Sequence, residues 1–278
     1  MLFLVLLPLL ALAEENEVQA VADRPGAGTG AHVLDWGHIQ WETGFEVAHW
    51  MGMHVLNMPT TLFRFGLGPW AELRLEYTGL LAINDKPDTI ASTPDEVFYS
   101  VQPLNVGTKI RLWGGSDDPK LRWIPRTSLM FNLGLPLTSS LASYIPVTGT
   151  VDFLFENDVT DWFSVGYDVG VYWIDPAPTP DIFVSLGFNF APTDKLGLFV
   201  ESHNSFDPDA RSLDEPAKTY TVCSINLDFG LTYMVHPLVQ LDLYSGFNLY
   251  HSGSELSGPQ NDVMVGLGVT WLLYHPSK

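Results

Sequence analysis

Hydrophobic and polar residues alternate with a period of two along most of the chain, and helical periodicity is nearly absent. In AELRLEY at 71–77, leucine and tyrosine occupy one face, while glutamate and arginine occupy the other. Such alternation indicates a β-strand with one apolar and one polar face. The pattern therefore predicts an all-β fold.

Roughly twelve segments show this pattern, and most of them have about ten or more residues. Tilted membrane strands need about 9–11 residues, whereas strands in soluble sheets usually have about five or six. The lengths favour an antiparallel up-and-down transmembrane β-barrel of about 12 strands over residues 36–274. The predicted strands lie near 36–49, 53–67, 70–83, 97–113, 121–136, 147–157, 162–174, 181–191, 195–204, 217–233, 238–251 and 261–274.

The predicted connections also alternate, between short turns and longer polar loops. Short turns fall near 68–69, 157–161, 191–195 and 235–237, and the longest polar loop falls at 84–96. Bacterial outer-membrane barrels have short periplasmic turns and longer outer loops. An even number of strands then places both chain ends in the periplasm.

Aromatic residues gather near the ends of the predicted strands. Outer-membrane barrels carry aromatic girdles at the two interfaces, so this distribution predicts lipid as a partner of the outer face. The residues are Trp36, Trp50, Trp70, Trp113, Trp123, Trp162, Trp173, Tyr250 and Tyr274.

Composition supports the barrel and excludes other classes. Hydrophobic residues make up 46% of the chain and charged residues only 16%, against about 25% charged in soluble domains. No internal run of about 20 apolar residues is present, as a spanning helix would need. The net charge of −19 argues against nucleic-acid binding, which needs clustered basic residues. A secreted β-sandwich is the alternative fold, but it would need fewer apolar residues on its outer face.

The N-terminal region divides into two parts. Residues 1–13, MLFLVLLPLLALA, end in a small-x-small pattern and predict a cleaved signal peptide for export to the bacterial outer membrane. Residues 14–35 are rich in Gly and Ala and form either a periplasmic tether or a lumen plug, with Asp23, Arg24 and Pro25 as candidate plug residues. Residues 275–278 form a C-terminal tail.

The polar faces of the strands would line the lumen, and their charges sort by sign. Opposed basic and acidic walls would select polar solutes in an open pore, or the charges would pair and close a filled barrel. The sequence leaves both readings open. The basic residues are Arg64, Arg74, Lys109, Arg111, Arg122 and Arg126. The acidic Glu72 and Glu76 lie on the same strands as some of these basic residues. The acidic residues are Glu42, Glu46, Asp152, Glu156, Asp168, Glu201, Asp228 and Asp242.

No catalytic or metal-binding motif stands out. The chain contains neither GxSxG nor HExxH, and Ser202 and His203 are neighbours that point to opposite faces of a strand. The acidic loops lack EF-hand spacing. We therefore predict no enzyme activity, no cofactor and no metal site.

Several short motifs resemble one known family. They are ADRPG at 22–26, QWETGF at 40–45, TLFRFGL at 61–67, ELRL at 72–75 and NDVTDWFSVGYD at 157–168. Together they resemble the outer-membrane transporter-like family named for the MetA pathway of phenol degradation. The resemblance implies a membrane barrel that passes or binds small, often hydrophobic or aromatic compounds, and it supplies no catalytic residues. The alternatives are an outer-membrane enzyme such as a lipid hydrolase, or a closed structural barrel. The sequence identifies neither the solute nor the oligomeric state.

Overall fold

The computed structural model describes residues 18–23, 26, 28–50, 53–85, 97–100, 103–115, 121–135, 147–174, 179–211, 219–252 and 263–276. No α-helix in these ranges is long and apolar enough to cross a membrane. The described residues form thirteen β-strands. In chain order they are β1 (Ile39–Trp50), β2 (Met53–Gly68), β3 (Ala71–Asp85), β4 (Val97–Ser100), β5 (Leu104–Trp113), β6 (Arg126–Leu135), β7 (Thr148–Thr160), β8 (Phe163–Ile174), β9 (Asp181–Phe190), β10 (Leu196–Arg211), β11 (Thr219–His236), β12 (Val239–Ser252) and β13 (Val263–Tyr274).

The strands close into a barrel in which every pairing is antiparallel. Strand β1 pairs with β13 through Trp41↔Trp271 and with β2 through Trp41↔Phe63, so the first and last strands complete the ring. Strands β4 and β5 both pair with β3, at its far and near ends. The two strands therefore share one strand position, and the ring has twelve strand positions. This confirms the predicted twelve-stranded barrel, with the segment 97–113 divided in two by a short break.

The barrel carries apolar side chains on its outer face and polar side chains on its inner face. Outward-facing Val265, Leu267 and Leu273 of β13 are all more than 40% exposed, whereas the inward-facing Thr270 is fully buried. Charged residues in water-soluble proteins lie on the surface and apolar ones inside. The reverse arrangement suits a barrel whose outer face meets lipid and whose polar face turns inward.

One end of the barrel, here called the short-turn end, carries three two-residue connections, the start of β1 and the end of β13. Only two residues separate β2 from β3, β7 from β8, and β11 from β12. The pair Ile39↔Tyr274 brings the first and last strands together at the same end. Short and long connections alternate in most of the ring, but β1–β2 at the opposite end also has only two residues and β5–β6 at this end has twelve. Strand β7 continues through Thr160, so the turn expected at 157–161 lies at 161–162.

The connection between β5 and β6 differs from its prediction. The strand expected at 121–136 begins only at Arg126, because Pro125 lacks the backbone N–H that a strand pairing needs. Gly114 and Gly115 have φ of 83° and 73°, and turn the chain away from β5. Arg122 was expected on a strand lining the lumen. It lies instead in this connection, where it bonds the exposed Asp161 at the rim.

Exposed tryptophans concentrate at the short-turn end. Each of five indoles there is more than half exposed, up to 81% for Trp123. Indole rings favour the membrane–water interface because an apolar body carries a polar N–H. The five are Trp36, Trp70, Trp113, Trp123 and Trp162, and they mark this end as one edge of the membrane-facing band.

Candidate functional site

The N-terminal segment, residues 18–35 (described except for 24, 25 and 27), lies inside the barrel at the short-turn end. Ala20 N donates to Pro237 O in the β11–β12 turn at 2.9 Å. Leu34 N donates to Glu72 Oε2 on β3 at 2.7 Å, and Gly28 N donates to Glu201 Oε1 on β10. The segment thus spans the lumen from one wall to another.

Six buried charged side chains, here called the anchor cluster, hold the segment to the wall. Arg64 donates to both oxygens of Glu72, from Nε at 3.0 Å and from Nη2 at 2.8 Å. Lys109 Nζ donates to Asp23 Oδ2 at 2.8 Å, and Arg74 Nη1 donates to the same oxygen. Each of these side chains is at most 6% exposed. The cluster consists of Asp23, Glu42, Arg64, Glu72, Arg74 and Lys109.

Asp23 completes the charge balance of the anchor cluster. The barrel wall supplies three cations but only two of the carboxylates, so without Asp23 the cluster would carry one net positive charge. Backbone carbonyls of the segment add further acceptors. Lys109 Nζ donates to Gly30 O at 2.7 Å, and Arg64 Nη1 donates to Val21 O at 2.6 Å. The segment and the wall therefore satisfy each other's buried polar groups.

The electrostatics of Asp23 follow from this setting. Burial by itself disfavours the carboxylate, but the nearby Arg64, Lys109 and Arg74 outweigh it and hold the pKa of Asp23 well below its usual range. Asp23 is therefore ionised when the segment is seated. The two other candidate plug residues, Arg24 and Pro25, lie outside the described residues.

A second group of contacts seats the later part of the segment against β6 and β7. Ser128 Oγ donates to Ala31 O at 2.6 Å, and Ala31 packs with the buried Met130 and Leu154. Arg126 donates to the His32 ring and lies 3.4 Å from Glu156. Apolar and ionic contacts together fix the segment on this side of the lumen.

The opposite side of the barrel presents buried carboxylates. Each is at most 8% exposed. In the described parts of β7–β12 the only Lys or Arg is Arg211, at the far end of β10. Basic and acidic side chains therefore lie on different sides of the described lumen, and the segment balances the charge of the basic side. We call the acidic side the carboxylate wall; it comprises Asp152, Asp168, Glu201, Asp228 and Asp242.

The remaining sequence-predicted lumen residues lie on the inward faces of their strands. Glu46 accepts hydrogen bonds from Tyr244 Oη at 2.8 Å and from Asn57 Nδ2 at 2.9 Å. Arg111 shares the face of Lys109, two residues closer to the short-turn end. Glu76 shares the face of Arg74 and lines a separate cavity.

Three cavities follow one another through the lumen. The first, about 500 Å³, lies beside the N-terminal segment and opens toward the short-turn end; Gly166, Asp168 and Glu201 line its wall side. The second and third have volumes of about 300 Å³ and 320 Å³ and lie farther from that end. Thr29 borders the first and third cavities, and Tyr172 borders the second and third. The three cavities therefore adjoin one another beside and beyond the segment.

The lumen contains a serine–histidine contact that the sequence did not predict. Ser185 Oγ is 2.9 Å from His203 Nδ1, and Ser185 also donates a hydrogen bond to Asp168. In a catalytic triad the carboxylate orients the histidine, whereas here it binds the serine. Register places the three in one row, as Asp168↔Ser185 and Ser185↔His203. Within the described residues, no group of three His, Cys, Asp or Glu could hold a metal ion.

The closed antiparallel ring, the apolar outer face and the polar lumen define a bacterial outer-membrane β-barrel. Two solved structures share the fold. The COG4313 outer membrane channel from Pseudomonas putida F1 has a TM-score of 0.65 and 12% identity, covering 89% of this chain and 98% of that one. The KdgM porin in complex with disordered oligogalacturonate has a TM-score of 0.51 and 9% identity, covering 84% and 99%.

The sequence itself gives the family. Residues 22–258 match the family described as "Putative MetA-pathway of phenol degradation", and the chain belongs to it. The family resemblance seen in the sequence motifs is thereby confirmed. No curated protein matches the sequence.

Proposed function

We propose that this protein is an outer-membrane pore that passes small molecules between its N-terminal segment and the carboxylate wall. The observation that carries the proposal is the series of three adjoining cavities. Thr29 borders the first and third, and Tyr172 borders the second and third. The segment narrows the lumen on the basic side and leaves space on the acidic side.

Glycines keep that space open. Gly166 on β8 and Gly187 on β9 both line the first cavity. A Cβ added at Gly166 would find its nearest neighbouring atoms only at 4.0 Å. Inward-facing side chains normally fill a small barrel, so the missing side chains at these positions favour passage over a filled core.

The size and lining of the first cavity indicate the solute class. Small-molecule sites usually measure about 300–1,000 Å³, and this cavity has about 500 Å³. Its lining includes the buried, inward-facing Phe199 as well as carboxylates. Small aromatic compounds with a polar group suit such a lining, in keeping with a family named for phenol degradation.

Solute uptake by proteoliposomes tests the proposal. Vesicles containing the refolded full chain are diluted into isosmotic glycine, phenylalanine or a trisaccharide, and swelling is followed by light scattering. We expect protein-dependent swelling that is fast for glycine, slower for phenylalanine and absent for the trisaccharide. If no solute causes protein-dependent swelling, the barrel is closed and has a structural role.

We further propose that residues 1–13 are removed on export and that the short-turn end faces the periplasm. These residues lie outside the described part of the chain, so the support is the small-x-small pattern at 11–13 and the rhythm of the connections. Mass spectrometry of the membrane-extracted protein should give a mature chain starting at Glu14. A chain retaining its first thirteen residues would contradict this.

A further inference from the structure

Two carboxylates of the wall lie next to each other in the middle of the lumen. Strands β7 and β8 pair through Asp152↔Gly170 and Leu154↔Asp168, so Asp152 and Asp168 are diagonal neighbours on the inward face. Such diagonal positions are about 7–8 Å apart, within reach of one ligand. Asp152 is 3% exposed and Asp168 is 5% exposed.

Each of these carboxylates has an unused acceptor. Oδ1 of Asp152 and Oδ1 of Asp168 are buried and have no hydrogen-bond partner. Buried acceptors in native structures are nearly always paired, and an exception marks a place where a partner is missing. Asp152 lines the third cavity and Asp168 lines the first, so both residues border the free space of the lumen.

Among the described residues, no Lys or Arg hydrogen-bonds the unpaired oxygens of this pair. Lys109 is near enough to act on Asp152 electrostatically. Its ammonium, however, donates to Asp23, to Gly30 O at 2.7 Å and to His32 O at 3.1 Å. An ammonium has three protons, and these contacts use them. Within the described part of the chain, the two Oδ1 atoms therefore have no cationic partner.

Aromatic rings complete the surroundings. Phe183 lies over Gly170, since a Cβ added there would sit 2.2 Å from the ring, and Gly170 is the register partner of Asp152. Tyr172 also lines this cavity. Aromatic faces attract cations, and most strongly where water is excluded. Carboxylates beside ring faces recognise a positively charged nitrogen attached to an apolar group.

We propose that Asp152 and Asp168, with Phe183 and Tyr172, form a binding site for small organic cations such as primary aralkylammonium ions. The inference rests on the proposed pore function, for which it names a solute class. The ammonium donates to the two free Oδ1 atoms and the apolar part lies against the rings. Neutral and anionic analogues lack the charge that the pair needs.

Isothermal titration calorimetry of the detergent-solubilised full chain tests the site, with benzylammonium as the probe and benzyl alcohol as its neutral counterpart. We expect benzylammonium to bind about tenfold or more tightly than benzyl alcohol, because charge-assisted hydrogen bonds are the strong ones. The double variant Asp152→Asn, Asp168→Asn keeps the shape and removes the charge. It should reduce the difference to less than about twofold.

Glu46→Gln is the control, since Glu46 is an inward-facing carboxylate outside the carboxylate wall and borders none of the three cavities. It should bind benzylammonium as the wild type does. Equal binding of the alcohol and the ammonium by the wild type overturns the site, as does equal weakening by Glu46→Gln, which would assign the effect to diffuse lumen charge. If the double variant fails to show heat-modifiable migration, the two single variants replace it, and each should lose part of the preference.

Calorimetry does not require conduction, so the two proposals fail separately. Binding without solute passage would leave the site and remove the pore, whereas passage without cation preference would leave the pore and remove the site.

Discussion

Replacing Asp23 by alanine tests how the N-terminal segment is held. Asp23 accepts hydrogen bonds from Arg74 Nη1 and from Lys109 Nζ, which lies 3.1 Å from Oδ1 and 2.8 Å from Oδ2. Arg64 Nη1 lies 3.5 Å from Asp23 Oδ1. The loss of Asp23 leaves the anchor cluster with one unmatched buried positive charge. Breaking a buried ion pair from one side costs about 3–5 kcal/mol.

That cost falls on the seating of the segment, because residues 18–35 contribute no strand to the ring. An energy of about 3–5 kcal/mol shifts the ratio of released to seated segment by roughly two to four powers of ten. Ala31, which is 1% exposed when seated, reports the release. In an Ala31→Cys, Cys223→Ser background, Asp23→Ala should raise the rate of thiol labelling by about a hundredfold or more.

Two controls accompany this experiment. Asp161→Ala removes a rim carboxylate that is 89% exposed, and should change labelling by less than about threefold because exposed pairs contribute little. Adding Lys109→Met to Asp23→Ala makes the cluster neutral again and should restore part of the protection. A labelling rate within about threefold of the parent for Asp23→Ala itself would refute the assigned role of the anchor cluster.

The seating, the membrane interface and the packing of the lumen each give a further measurable effect. Because the pKa of Asp23 is lowered in the seated state, a released segment takes up its proton first as the pH falls. Seating should therefore weaken below about pH 4, with a smaller response in Asp23→Asn, measured as conductance across that range. Trp162→Ala should lower the free energy of unfolding from bilayers by about 1 kcal/mol, with less effect for Trp162→Phe, in urea titrations. Gly170→Ala, whose Cβ would meet the Phe183 ring at 2.2 Å, should cost about 1–3 kcal/mol, while Gly166→Ala should stay within about 0.5 kcal/mol in the same titrations.

The strands could be predicted because alternation depends only on local sequence. The prediction went wrong where backbone chemistry intervened: Pro125 delays β6, and Arg122 consequently lies in a connection. The break before Leu104 follows Pro103 in the same way, so one predicted strand became β4 and β5.

The partners within the lumen could not be read from the sequence. Lys109 meets Asp23 across 86 positions, and the row of Asp168, Ser185 and His203 depends on the register of three strands. Register is fixed by the closure of the whole ring and not by any one strand. The sequence therefore supplied the inward-facing charges, whereas their pairing and the unpaired Oδ1 atoms of Asp152 and Asp168 required the fold.

Single-channel recording of the refolded full chain in planar bilayers, beside Gly166→Leu, tests most directly whether the lumen conducts past the segment. Gly166 faces the cavity of about 500 Å³, and leucine places an isobutyl group in that space. We expect discrete current steps from the wild type and clearly smaller steps from a Gly166→Leu barrel of unchanged stability. The absence of steps from the wild type, or steps of equal size from both proteins, would contradict a solute path between the N-terminal segment and the carboxylate wall.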